Sequence, residues 1–320
     1  MPDLELTAAF GDYDRITPLR TGQVRAQGID LRVLALPAGE IFSRMCERQE
    51  FELSEMSMGA HLNLLGAGDS PLVGLPAFPS RAFRHAMLYA NVDAGIEGPG
   101  DLNGKRIAIR EWGMTAVLWI VGILADEHGL DIASVDWVAA LAPRAAIAPP
   151  PGVRMRLMAP GEDLSDLLET GAVDAALLHT APRCFAQGSP RVRRVFADYA
   201  RAEREYFART RVHPIMHCTV LRRDVHARHP WAIRNVYDAI CQAKAHAARE
   251  LLETGTLAAM VPFLAHAMDD TRALFGEDWW PYGVDANRAC LERMTRYAFA
   301  QGLTPRVLDV EELFAAAVHG

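Results

Sequence analysis

Polar and apolar positions alternate from the first residues of the chain. Leu4–Phe10 reads as a strand that closes on the turn Gly11-Asp12-Tyr13-Asp14. Ile29–Ala35 is a second strand, followed by a helix over Ala38–Arg48 opened by Pro37. Leu53–Met56 is short and strand-like, with a helix from Met58 to Ala67 behind it, and Leu72–Phe78 is a further apolar strand. Strands separated by helical stretches predict parallel βαβ units whose helices cover the sheet.

The rhythm restarts after the turn Asp101-Leu102-Asn103-Gly104. Lys105–Ile109 reads as a strand, Thr115–Glu127 as a helix ending near Gly129, and Val135–Ala139 and Val153–Met158 as strands. Ala142–Gly152 holds four prolines and reads as a surface loop. Asp163–Glu169, Gly171 and Val173–Leu178 give helix, C-cap and buried strand. From Pro230 onward the pattern is helical, over Trp231–Leu252, Leu257–Phe275, Asp285–Gln301 and Glu311–Val318. Phe83–Asn91 and Pro214–Arg222 are left as two extended crossings. Together these predict an α/β chain of two lobes, residues 1–88 with 217–320 and residues 89–216. A cleft between them would meet the carboxyl ends of strands.

Composition narrows the function. The 320 residues suit two lobes, since domains usually run ~100–200 residues. Half the residues are hydrophobic, and 33 basic against 40 acidic residues leave a net charge of −7. That balance argues against a dedicated nucleic-acid or anionic-membrane binder, so the expected partner is a small molecule; a homo-oligomer stays open. Cys46, Cys184, Cys218, Cys241 and Cys290 lie far apart with no CxxC pair, which favours reduced thiols. The N-terminus has neither the basic start nor the apolar run of a signal peptide, and Thr115–Ala125 is too short to span a bilayer at ~20 residues. A cytoplasmic location is expected.

Six short segments then fall in order along the chain: Gly11–Arg15 (GDYDR), Ser80–His85 (SRAFRH), Glu111–Ala116 (EWGMTA), Arg211–His217 (RVHPIMH), His229–Trp231 (HPW) and Gly276–Gly283 (GEDWWPYG). Together they resemble the 4,5-dihydroxyphthalate decarboxylase family, over nearly the whole chain. The resemblance implies the two-lobed type II periplasmic-binding-protein fold with a helical C-terminal part. It also implies loss of one carboxylate from an ortho-dicarboxylated catechol, giving a protocatechuate-type product. No cofactor is called for.

Such a reaction needs a proton for the ring carbon, cations for the carboxylates and little water. Arg81 and Arg84 are the candidate carboxylate clamp, because a guanidinium matches a carboxylate in bidentate fashion. If Phe83–Asn91 is extended, Arg81 and His85 share one side and Arg84 takes the other. His213 and His217 share a face of the return crossing, which is expected to bring His217 near His85. Either His85 or His217 is the candidate proton donor, with Glu111 assisting at a hydroxyl. Asp12, Tyr13, Ser57, Thr115, His179, Thr180 and His213 are candidate substrate contacts at strand ends.

Each has a purely structural alternative: turn chemistry for Asp12, a cap on its own helix for Thr115, and a dipole-favoured charge for Glu111. No third ligand gives the histidines a metal-site spacing, so no metal is expected. Two other functions stay open on the same scaffold. One is a non-catalytic solute-binding or sensing protein for a small aromatic carboxylate. The other is an enzyme of menaquinone or thiamine-pyrimidine synthesis, although the cysteine-rich motif of the thiamine-pyrimidine group is missing.

Overall fold

The computed structural model describes residues 3–142 and 147–318. Part of the proline-rich loop expected at Ala142–Gly152 therefore lies outside the described residues. Two sheets organise the chain. The first takes β1 (Leu4–Phe10), β2 (Ile29–Ala35), β3 (Leu53–Ser57) and β4 (Leu72–Arg81) from the beginning of the chain. The second takes the next six strands: β5 (Leu88–Asn91), β6 (Arg106–Glu111), β7 (Asp136–Leu141), β8 (Arg154–Leu157), β9 (Ala175–Leu177) and β10 (Val192–Arg194). β11 (Ile215–Arg222) then returns to the first sheet. The orders are β2-β1-β3-β11-β4 and β10-β5-β9-β6-β7-β8. β1 runs parallel to β2 and β3, whereas β11 is antiparallel to both β3 and β4.

The helices follow the expected alternation: α1 (Thr17–Arg20), α2 (Ala38–Arg48), α3 (Met58–Gly66), α4 (Thr115–His128), α5 (Leu164–Thr170) and α6 (Arg183–Ala186), then α7 (Tyr199–Thr210) and α8 (Arg223–Arg228). The long C-terminal helices are α9 (Ala232–Leu252), α10 (Leu264–Phe275) and α11 (Arg288–Ala300). Three expectations need correction. Phe83–Asn91 is not extended throughout: a 3₁₀ turn at His85–Met87 precedes β5, which breaks the side-chain alternation assumed there. The helix expected from Leu257 starts at Leu264, because Gly255 and Pro262 interrupt the preceding stretch. Glu311–Val318 is two 3₁₀ turns rather than a helix. α7 has no counterpart in the sequence reading.

β4 forms an edge of its sheet, and its pairing with β11 jumps from His217↔Ser80 to Thr219↔Leu75. The extra residues, Pro76 to Pro79, form an irregular stretch. Both prolines lack an N–H, which an edge strand tolerates. Its carbonyls are satisfied from elsewhere. Pro76 O accepts from Gly283 N (2.9 Å), Ala77 O from the Thr219 hydroxyl (3.2 Å), Phe78 O from the Trp280 indole (2.8 Å) and Pro79 O from Arg15 Nε (2.6 Å).

α4 is the apolar run that is too short for a membrane span, and no helix among the described residues is long and apolar enough to cross one. Its first ten residues, Thr115–Leu124, are buried on every side. Ala116, Leu118, Trp119 and Ile123 pack into the core of the first sheet, while Val117, Ile120, Val121 and Leu124 pack into that of the second. A helix apolar all round belongs in such a position. The Trp119 indole donates to Ile215 O at 2.9 Å, which fastens α4 to the start of β11.

Gly122 sits where α4 meets α11, and a Cβ there would lie 2.2 Å from the Tyr297 ring. That ring cannot swing freely, because its hydroxyl donates to Asp126 at 2.6 Å. Gly122→Ala gains ~1 kcal/mol of helix propensity but overpacks the contact at a cost of ~1–3 kcal/mol. The variant is expected to unfold at lower urea concentration than the parent, with unchanged m. A midpoint at or above the parent's would show that the contact has room.

Candidate active site

The site starts from a carboxylate with no exposure. Glu55 lies in β3, among Leu53, Ser54 and Met56, and is fully buried. A charge so placed must be paired and hydrogen-bonded. Glu55 accepts from Gly11 N at 2.5 Å and from the Tyr13 hydroxyl at 3.2 Å, and its Oε2 lies 2.7 Å from His217 Nδ1. Gly11 is required here, since a Cβ would stand 2.6 Å from the Tyr13 ring as it folds back over the end of β1. A carboxylate can only accept, so His217 carries its proton on Nδ1 and leaves Nε2 for other chemistry. The imidazole keeps 17% side-chain exposure and meets the edge of Phe42, with ring centres 4.8 Å apart. Burial, and then Glu55, push the Tyr13 phenol well above its ordinary pKa, so it stays a donor. Arg15 lies 4.3 Å over the Tyr13 ring and 4.5 Å from the centre of Trp280.

Beside this pair, the first turns of α3 and α4 meet. Ser57 and Thr115 share a hydrogen bond of 2.8 Å, and Gly59 N donates to the Thr115 hydroxyl at 2.9 Å. Thr115 therefore caps the neighbouring helix and not its own, a correction to the local reading. Gly59 permits the approach: a Cβ there would lie 2.6 Å from Gly113 O. Both helices begin here, so the positive ends of two helix dipoles lie at this point.

The second sheet supplies cations. Arg110 is exposed near the end of β6, and Glu111 follows it, half-buried opposite Leu141. Arg84 donates to the Met216 sulfur at 3.1 Å, and burial lowers its pKa to about 10. His179, after β9, is held below its ordinary pKa by burial and then by Arg110 and Arg84. Among the described residues no carboxylate lies within ion-pair distance of Arg84 or Arg110, although Glu203 acts on Arg84 electrostatically. Thr180 is exposed beside His179. No three His, Cys, Asp or Glu side chains among the described residues form a metal-ligand set.

Several candidates lie elsewhere. Asp12 is exposed and pairs with Arg20 at 2.9 Å. His85 is buried between Phe196 and Tyr206, with Nδ1 3.9 Å from Glu203. It shares no partner with His217, so the expected His85–His217 pair is not formed. The cause is the 3₁₀ turn, which follows the last rung of the β4–β11 ladder at Arg81↔Ile215. Arg81 points to neutral oxygens: His213 O (3.0 Å), Pro281 O (2.6 Å) and Asn287 Oδ1. His213 stacks on Phe83 with ring centres 4.8 Å apart. Glu55 and Arg110 escaped the sequence reading. A lone carboxylate inside the short apolar strand LSEMS was the available signal for Glu55.

No protein-family model matches the chain. The 4,5-dihydroxyphthalate decarboxylase of Comamonas testosteroni is 33% identical over 323 residues, covering 99% of this chain and 98% of that protein. The Pseudomonas putida protein of the same name is 35% identical over 213 residues, covering 65% of this chain and 83% of the relative. Among solved structures, the periplasmic aliphatic sulphonate-binding protein SsuA of Escherichia coli superposes with a TM-score of 0.56 at 14% identity, covering 97% of this chain and 92% of its own. A sulfonate-binding protein of Methylobacillus flagellatus gives 0.57 at 15%, covering 98% and 92%. At these identities the likeness shows the fold, that of the periplasmic binding proteins.

The buried His85 also makes stability depend on pH. Burial, then His128 and Arg209, lower its pKa from 6.5 to about 4. Between these values the unfolded chain binds a proton that the native chain does not. His85 therefore supports the fold fully above pH 6.5, and this support is lost as pH falls toward 4. His213, lowered to about 3 by burial and Arg81, acts in the same direction. Each histidine contributes a slope approaching ~1.4 kcal/mol per pH unit. His85→Phe should flatten the fall of unfolding free energy over this acid range, measured by urea denaturation; an unchanged slope would remove His85 as its source.

Proposed function

The chain belongs to the 4,5-dihydroxyphthalate decarboxylase family, and we propose that it converts 4,5-dihydroxyphthalate to protocatechuate and carbon dioxide. Most weight falls on the His217–Glu55 pair, an acid–base group set beside the starts of two helices and near Arg84, which bonds the neighbouring Met216. A receptor that only holds an anion has no need of a buried carboxylate next to the charge it binds.

In the substrate, each carboxylate-bearing carbon lies para to a hydroxyl. Electron density pushed from that hydroxyl raises the basicity of the carbon. His217, protonated on both nitrogens with Glu55 supporting the cation, gives its Nε2 proton to the carbon. The bond to the carboxylate then breaks, its electron pair restores the aromatic ring, and carbon dioxide departs. One proton is taken up per turnover, as a dianion becomes a monoanion. Tyr13, kept as a phenol, donates to Glu55 and helps hold the imidazole in place. Arg84, Arg110 and His179, with the first turns of α3 and α4, bind the carboxylates. Ser57 and Thr180 meet the hydroxyls in this reading, and Glu111 stands at the same strand end as Arg110. Residues 1–88 with 217–320 would form one lobe and 89–216 the other, closing to exclude water. The five free thiols support a cytoplasmic setting, where they stay reduced.

The reading is tested with the purified chain and 4,5-dihydroxyphthalate, following carbon dioxide release and ring absorbance. His217→Asn keeps a donor for Glu55 but removes the acid, so kcat should fall by ~10²–10⁴-fold while calorimetric affinity is largely kept. Arg110→Ala should instead raise KM about tenfold or more, through loss of a charge-assisted bond worth ~1.5–3 kcal/mol. Activity should persist after exhaustive treatment with EDTA. Tight binding by the wild-type chain without carbon dioxide release would favour a solute-binding protein, and wild-type turnover by His217→Asn would end the proposed role of His217.

A further inference from the structure

One residue beyond Ser80, Arg81 turns away from Tyr13 toward the segment before α11. There, a cavity of about 180 Å³ is lined by Arg81, Arg211, His213, Phe207, Phe275 and Trp279, among others. The proposed reaction uses none of these side chains.

Three observations set this cavity apart. Arg81 is only 6% exposed, and it donates to two carbonyls and an amide oxygen, none of them charged. Its Nε has no partner among the described residues. A buried guanidinium without a counter-ion is costly, and an anion nearby would offset that cost. The acid on the cavity wall, Asp278, acts on Arg81 only at a distance and is held through both oxygens by Lys244, at 2.8 Å each. Arg211, finally, is the left-handed C-cap that ends α7, with φ of 55° and its N–H donating to Phe207 O at 2.8 Å. From that position its guanidinium lies 4.6 Å over the Phe207 ring and donates to Leu274 O at 3.0 Å. Among the described residues no carboxylate pairs with it.

We propose that this cavity is a second binding site, for a single-ring aromatic monocarboxylate. Arg81 and Arg211 supply the charge, while Trp279 and the Phe207–Phe275 pair, stacked with ring centres 3.9 Å apart, supply apolar walls for a ring. The volume matches the occupant, since a cavity of ~150 Å³ admits benzene. It leaves little room for a second ring. An inorganic ion would satisfy the cations but leave the aromatic walls facing empty space. The inference does not depend on the decarboxylase reading.

The test uses benzoate, titrated into the full-length chain and followed by calorimetry and tryptophan fluorescence. One benzoate per chain is expected to bind, with a fluorescence change from Trp279. Arg211→Gly is the informative variant, because glycine accepts the left-handed backbone and the fold is retained while the guanidinium is lost. It should weaken benzoate binding about tenfold or more, the loss expected for one charge-assisted bond. Its turnover of 4,5-dihydroxyphthalate in the absence of benzoate should match the parent's. Arg81→Met should act in the same direction if it folds. Absence of saturable binding at millimolar benzoate would overturn the proposal. So would binding that survives Arg211→Gly and disappears with Arg110→Ala, which would put the benzoate in the active site. The titration requires no turnover, so its failure and a failure to release carbon dioxide are separate results.

Discussion

One strand pairing underlies the whole site. β11 lies antiparallel between β3 and β4, opposite Ser57 on one side and Ser80 on the other at His217. That insertion sets the imidazole against Glu55 and gives a buried carboxylate its third partner. Without His217, Glu55 would keep only the Gly11 amide and a longer bond from Tyr13. Leaving a buried charge short of partners costs several kcal/mol, so pairing and chemistry stabilise each other. The entropic cost of bringing such distant segments together grows only slowly with loop length.

The regular parts of this arrangement were legible in the sequence. Alternation located the strands of the first sheet, and the restart near Lys105 located β6 and α4 to within two residues. The chain's return to the first sheet was visible in PIMHCTVLR, an apolar run with histidine at its near end. What failed was local and irregular. Nothing in FRHAM announces a 3₁₀ turn, yet that turn decides that His85 faces Tyr206 and Phe196. α7 was hidden by its own polarity, with Tyr206 and Phe207 its only buried residues. Glu55 was hidden by brevity: five residues give too little pattern to reveal which positions are buried.

The arginines show why residue type alone misled. Arg81 and Arg84 sit three positions apart in one segment and looked equivalent as carboxylate clamps. Arg81 is enclosed by carbonyls of the 213 and 281 segments and an amide of the 287 position. Arg84 rests on a thioether and acts electrostatically on His179 in the other half of the fold. Only the tertiary path of the chain separates the two, and that path follows from pairings distant in sequence.

The irregular stretch of β4 carries a consequence for biosynthesis. Pro76 O and Phe78 O take their hydrogens from Gly283 and Trp280, residues that emerge from the ribosome long after the strand itself. During translation those carbonyls must stay wet, and the edge of the nascent sheet must stay loose. The growing polypeptide therefore carries this edge of the sheet without its final partners until the residues 280–283 have been made.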